Sequence, residues 1–351
     1  MTRLASVLLV FLVLVSCSSS SSISLSPSTF DDCLATLSQP GSVTGLFVEP
    51  DDGHAPVIRE IDSASCTVDV SIYILSDDVT IEALGNAVDR GIRVRVMLEE
   101  HPFGGGGGQI EVRERLELLG IEVRWSASDI RFSHAKYIVI DRQTALFMNQ
   151  NLTASAFTSN REFGVTTTDR ASVAQAQTVF DRDWDHEPLD DPDGPLIVSP
   201  TNSRARYLEL IGGAERSIDF YADVIRDVEI VDAIEDAAAR GVQVRLIVDA
   251  SFDEVTQEFA ILLCNSGAEI RLAETLYIHA KLMVIDGDLA IVGSQNFTST
   301  SLTTTANSRS RSRIRRCWPG AWSFLSAIGC ARFPGSRPDH AQLDSAMSVR
   351  I

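Results

Sequence analysis

Apolar and polar residues alternate through "VDVSIYIL" (68–75), and the apolar spacing then lengthens to a helical one that stops at "DRG" (89–91). Alternation resumes in "IRVRVML" (92–98), so the pattern predicts strand, amphipathic helix, strand. The same three-part pattern returns 150 positions later as "IDFYADVI", a helix ending at "ARG" (239–241), and "VQVRLIV". Gly91 and Gly241 suit the left-handed position that closes a helix. A second helix–strand pair follows in each copy, "VRERLELLGIEVRW" and "FAILLCNSGAEIRL". "LFVEPDDG" (46–53) likewise returns as "LIVSPTNS" (196–203). A chain written twice at this period predicts two similar α/β domains.

Residues 42–185 form the first predicted domain, the Pro- and Asp-rich stretch 186–195 the linker, and 196–306 the second domain. At 351 residues the chain is long enough for two cores. Ahead of them, Arg3 and the apolar run "LASVLLVFLVLVS" predict an export signal over 1–17, too short for a comfortable membrane span. The ending "LVSC" resembles a bacterial lipobox, which implies lipidation of Cys17 and a place in the cell envelope. Residues 18–41, opening on a run of serines, read as a tether. Export permits disulfides, so Cys33 and Cys66 could pair, a point the sequence leaves open; Cys264, within a helical pattern, is expected to be a buried thiol.

Charge narrows the function. The chain carries a net −18, but its first 306 residues carry −24 and the last 45 carry +6. An acidic body repels polyanions, so non-specific nucleic-acid binding is not expected. Against that background the chain has only two lysines, Lys136 and Lys281, and both follow His-Ala. The first lies in "HAKYIVIDRQTALFMNQN" (134–151), the second in "HAKLMVIDGDLAIVGSQN" (279–296). Residues two apart in a strand share a face, so His134 pairs with Lys136, and His279 with Lys281. A compact ammonium at two matched points suits a phosphate. Asp-Gly at 286–287 predicts a hairpin returning Asn296 beside His279.

These segments resemble the phospholipase D superfamily, whose signature is H-x-K-x4-D followed by G-S-x-N. The second copy matches in full; in the first, Met148 and Asn149 stand where Gly-Ser is usual. The resemblance covers roughly residues 42–306. It implies two packed α/β domains, each a mixed sheet with flanking helices, and one active site on a pseudo-two-fold axis between them. It implies no metal or other cofactor. His134 would attack phosphorus to give a phosphohistidine and His279 would protonate the leaving group. Lys136, Lys281, Asn151 and Asn296 would hold the non-bridging oxygens, with Ser294 as a further phosphate contact and its counterpart Asn149 a less typical one. Glu162 in "NREFG" matches a family acid that holds a catalytic imidazole through its second nitrogen. Asp141 and Asp286 match the motif aspartates and are expected to be structural.

The remaining motifs carry less. "HPFGGGGGQ" (101–109) lacks the Lys-Ser/Thr of a phosphate loop and reads as a mobile loop that could border the site. His54, His101, His186 and His340 show no metal-ligand spacing. "NSRSRSRIRRC" (307–317) falls where the first copy has "NREFGVTTTD". Shifted codons for 308–316 can spell Arg-Glu-Val-Gly-Val-Gly-Ser-Asp, and 318–329 resembles the end of the first copy's last helix in the third frame. Residues 307–351 are therefore expected to be a frameshifted tail.

The expected activity is a phospholipase D-type phosphodiesterase acting on phospholipid at a membrane surface, as a monomer of two pseudo-symmetric halves. Cardiolipin synthases of this superfamily generally carry membrane-spanning helices, which the chain lacks after its signal. The alternatives are an exported nuclease, or an enzyme impaired by its altered second half and serving as a binding protein.

Overall fold

The structure is a computed structural model that describes residues 33–34, 43–103, 108–127, 132–189 and 194–303. Cys17, most of the serine-rich segment, the glycines at 104–107 and the arginine-rich tail lie outside the described residues. The first half runs β1 (Val43–Glu49), α1 (Ala55–Ser63), β2 (Thr67–Ile72), α2 (Asp78–Asp89), β3 (Arg93–Leu98), α3 (Gln109–Leu118) and β4 (Glu122–Trp125). It continues through β5 (Lys136–Ile140), β6 (Thr144–Met148), α4 (Ala154–Thr158), β7 (Asn160–Thr167) and α5 (Arg170–Trp184). The second half repeats the order with α6 (Ser203–Gly212), β8 (Ser217–Ala222), α7 (Val228–Ala239), β9 (Gln243–Asp249), α8 (Glu254–Asn265) and β10 (Glu269–Ala273). Then come β11 (Tyr277–Ile278), β12 (Lys281–Ile285), β13 (Leu289–Val292) and α9 (Ser299–Leu302).

Two mixed sheets result, as the resemblance implies. The first has the order β1-β7-β6-β5-β2-β3-β4, the second β10-β9-β8-β12-β13. In each, the strand before the long helix pairs in parallel with the strand after it, and antiparallel with the strand opened by a motif lysine. Asp77 and Asp227 cap the long helices by accepting from the amides of Thr80 and Ile230. Past each helix end, Gly91 and Gly241 take φ of +87° and +93°, where a Cβ would be strained. Cys33 and Cys66 form a disulfide, with Cα atoms 6.0 Å apart. Cys264 is only half-buried on α8, because it sits at the rim of the helix's apolar face rather than beneath it.

The halves are joined along their inner strands. β11 adds in parallel to β7, pairing Tyr277 with Asn160 and Ile278 with Arg161, so the second half extends the first half's sheet. Ile278, Ala280 and Val292 bury themselves with Tyr137, Phe147 and Phe163 of the first half. Burial of this kind, at roughly 25 cal/mol per Å² of apolar surface, is the main force holding the halves together.

One difference between the copies concerns the sheet face opposite the inner helices. In the first half α5 covers it, and Arg95 lies beneath, 4.7 Å from the Phe180 ring centre and 5.3 Å from that of Trp184. Its guanidinium makes two bonds to Asp69, of 2.7 and 2.8 Å, and one of 2.8 Å to Asp181. In the second half the matching Arg245–Asp219 pair is 45% and 30% exposed along its side chains. It lines a groove of about 260 Å³ with Tyr221, Ile247, Leu282 and Val284. The counterpart of α5 would follow residue 303, outside the described residues. Arg95→Ala is therefore expected to destabilise the protein by roughly 3–5 kcal/mol, because Asp69 stays buried without its cation. Arg245→Ala should cost under about 1 kcal/mol, because solvent screens that pair. Urea denaturation followed by circular dichroism measures both.

Candidate active site

The two histidines lie just before the strands that carry their lysines, β5 and β12, and each ring reaches a group of the other half across the seam. Their ring nitrogens are held differently. His134 Nδ1 is 2.9 Å from the backbone carbonyl of Ser294 in the other half. A carbonyl only accepts, so Nδ1 carries the hydrogen and Nε2 keeps its lone pair. His279 Nδ1 is 2.7 Å from Glu162 Oε1, again across the seam. Glu162 sits fully buried on β7, and its carboxylate can balance a positive charge on His279. One imidazole is backed by a neutral dipole, the other by a full charge.

The lysines are both buried. Lys136 Nζ donates to the His134 carbonyl at 3.1 Å and stands 4.9 Å from the Tyr73 ring centre. Lys281 Nζ donates to the His279 carbonyl and to Asp223 Oδ2, the latter at 3.0 Å. Burial, then the neighbouring charges of Lys136, Lys281 and His279, hold the His134 pKa well below the usual imidazole range. Burial and the Lys281 charge lower the Lys136 ammonium in the same way. Cationic groups crowded in a dry pocket repel one another, and an anionic phosphodiester relieves that repulsion.

The other predicted residues divide. Asn151 and Asn296 are half-buried after β6 and β13, each with an Oδ1 atom that is buried and unpartnered. The Asn296 amide hydrogen-bonds Asp223. Ser294 contributes its carbonyl to His134. Asn149 is not a phosphate contact: it is fully buried, donates to the carbonyls of Lys281 (3.0 Å) and Gly293 (2.7 Å), and accepts from the Phe163 amide. An amide there clamps the two halves, which explains the departure from Gly-Ser; Met148 beside it is core. Asp141 accepts from the amides of Ser65, Cys66 and Thr67, and Asp286 from those of Glu215, Arg216 and Ser217. Both tie the hairpin to the start of the neighbouring strand, so their role is structural.

Phe103, the residue before the glycines at 104–107, reaches the site's edge; those glycines lie outside the described residues. The Phe103 amide donates to the Tyr73 hydroxyl, and the Tyr73 ring packs edge-on to His134 with centroids 4.6 Å apart. No group of three or more His, Cys, Asp or Glu that could hold a metal occurs among the described residues. His54 is instead tied to Asp77 at 3.0 Å and stacked on Phe157.

The family profile described as "Cardiolipin synthase, PLD-like domain" matches residues 57–184 and again 207–310. The chain belongs to the phospholipase D superfamily. Among curated relatives, a cardiolipin synthase of Staphylococcus aureus is 24% identical over 306 residues, covering 74% of this chain and 61% of that one. The major cardiolipin synthase of Bacillus subtilis is 24% identical over 293 residues, covering 70% and 60%. The chain thus spans about three fifths of the length of those synthases. Among solved structures, a phosphatidylserine synthase of Haemophilus influenzae shares the fold, with a TM-score of 0.52 at 11% identity over 74% of this chain and 80% of that one. A polyphosphate kinase of Porphyromonas gingivalis does so with a TM-score of 0.60 at 16% identity, over 74% and 43%. No helix among the described residues is long and apolar enough to cross a membrane.

Within this phospholipase D-like site, Tyr73, Asp223 and Glu49 are absent from the sequence expectations. Tyr73 and Asp223 occupy the same repeat position, 150 residues apart, and that mismatch was the available signal. Glu49 lies directly opposite Glu162 in the β1–β7 ladder. Burial, with the charges of Asp52 and then Glu162 adding to it, pushes the Glu49 carboxyl up to about 7. Below about pH 7, where Glu49 is mostly neutral, it adds little like-charge repulsion beneath the Glu162–His279 contact. A carboxyl raised in the folded state contributes stability fully present below about pH 4.5 and lost as pH rises through about 7. Relative to wild type, Glu49→Gln should therefore gain up to about 3 kcal/mol between pH 4.5 and pH 8, read from denaturation midpoints at both pH values.

Proposed function

We propose that this chain is a phospholipid-directed phosphodiesterase of the phospholipase D type, passing a phosphatidyl group to water or an alcohol through a phosphohistidine on His134. The observation that carries this reading is the unequal backing of the two imidazoles. His134, with a free Nε2 lone pair and a depressed pKa, suits the nucleophile. His279, with Glu162 behind it, suits the acid. His134 Nε2 bonds to phosphorus as the headgroup oxygen departs with the proton of His279 Nε2. Water or an alcohol then attacks phosphorus, His279 takes its proton, and the N–P bond breaks. Lys136, Lys281, Asn151 and Asn296 steady the non-bridging oxygens, once Asn296 shares its amide between Asp223 and phosphate.

A phospholipid is favoured over nucleic acid by the −24 charge of residues 1–306 and by the similarity to lipid synthases. Envelope anchoring through Cys17 would place the site at a membrane surface. The relatives' names favour an alcohol as acceptor, whereas hydrolysis needs only water. The test is a panel of phospholipid vesicles with and without ethanol. Phosphatidic acid alone identifies a hydrolase, and added phosphatidylethanol a transferase. Cleavage of DNA with vesicles left intact would establish the nuclease reading instead.

A further inference from the structure

The two halves present unlike walls to the shared pocket. Beside His134 and Lys136 stands the Tyr73 ring, with the exposed Phe103 beyond it in edge contact with Phe132. At the same repeat position beside His279 and Lys281 stands Asp223, with the half-exposed Tyr277 ring beyond it. Asp223 Oδ2 is 3.0 Å from Lys281 Nζ and 3.9 Å from His279 Nε2, the nitrogen that faces the leaving oxygen.

A carboxylate there opposes the phosphate. Two unit charges about 4 Å apart repel by on the order of 4 kcal/mol in a partly dry site. Tyrosine, which fills the position in the other half, would avoid that cost. The cost is offset if the substrate brings a hydrogen-bond donor to Asp223. The carboxylate has room for one: Oδ2 receives Lys281, Asn296 gives one amide bond, and the Tyr277 hydroxyl lies a long 3.4 Å from Oδ1. Asn296 Oδ1 is a second buried acceptor without a partner. A phosphate oxygen cannot satisfy either atom, since it too only accepts. A hydroxyl or ammonium can.

Building on the phosphodiesterase reading, we propose that Asp223 reads the alcohol that leaves or enters beside His279, accepting a hydrogen bond from a hydroxyl or ammonium that this alcohol carries. Headgroups with such a donor, as in glycerol or ethanolamine, are then preferred over those without one. In the transfer step the alcohol's oxygen bonds to phosphorus, its proton passes to His279 Nε2, and the N–P bond to His134 breaks. Asp223 holds the alcohol's second polar group throughout.

Bis(p-nitrophenyl) phosphate tests this without a lipid. Its first p-nitrophenol departs unaided by any donor and leaves a p-nitrophenylphosphoryl group on the enzyme. Equal concentrations of glycerol, ethanolamine, 1-propanol and choline then compete for it, and mass spectrometry counts the four esters. A charge-assisted hydrogen bond predicts glycerol or ethanolamine esters in roughly tenfold or greater excess over those of 1-propanol and choline. Excess of the glycerol ester assigns a hydroxyl as the donor, and excess of the ethanolamine ester an ammonium. In Asp223→Asn and Asp223→Tyr the excess should shrink to within about threefold, a ratio that a general loss of rate does not move. Equal use of the four alcohols by wild type, a preference that survives both substitutions, or resolution by water alone would overturn the assignment. Absence of any p-nitrophenol release would sink the phosphodiesterase reading and this inference with it.

Discussion

His134→Ala is expected to lower kcat/KM toward a phospholipid by on the order of 10⁴-fold or more and to abolish any covalent intermediate. His279→Ala should be as damaging on that substrate, because an alkoxide headgroup cannot leave without a proton. The two variants should part on a p-nitrophenyl diester, whose leaving group needs no acid. His279→Ala should release one equivalent of p-nitrophenol in a burst and hold the phosphoryl group on His134, visible as an added mass on the intact protein. His134→Ala should show neither burst nor adduct. A burst in His134→Ala and none in His279→Ala would exchange the roles and contradict the assignment drawn from Ser294 and Glu162.

Glu162→Gln is expected to reduce kcat by roughly 10²- to 10³-fold with little change in KM. The glutamine keeps the side chain's volume and can still meet His279 Nδ1, so the fully buried site need not collapse. What disappears is the charge that balances His279 when it is protonated. The loss should therefore be large for a phospholipid and small for the burst on a p-nitrophenyl diester. An equal loss on both, or a lowered thermal midpoint, would mean that Glu162 supports the fold rather than the acid.

Much of this was legible in the chain because the repeat is a physical statement. Two copies of one strand–helix–strand pattern must bury two matched cores, and His-Ala-Lys at the head of a matched strand in each gives every half one His-Lys pair. The role of Glu162 was legible too, but its partner was not, since spacing along a chain does not say which half an acid serves. Asn149 was expected near phosphate from its alignment with Ser294, whereas burial turned its amide to the other half's carbonyls. Asp223 was hidden in a run of residues that read simply as a strand. Its importance arises from facing Lys281, a contact made across the antiparallel β8–β12 pair and its continuation. The frameshift expected over 307–351 is a statement about codons, which sequencing the gene decides.

The pairing of β11 with β7 has a consequence beyond shape. It places His279 one residue beyond a strand whose neighbour, Arg161, immediately precedes Glu162. The ladder that welds the halves is therefore also the ruler that sets the imidazole–carboxylate distance. Any slippage of one half against the other is transmitted undiluted to the His279–Glu162 contact, so under the proposed mechanism turnover is itself a gauge of how well the halves are seated. The two copies are not free to drift apart in sequence as independent domains would be. Each is held to the other's geometry by the reaction they share.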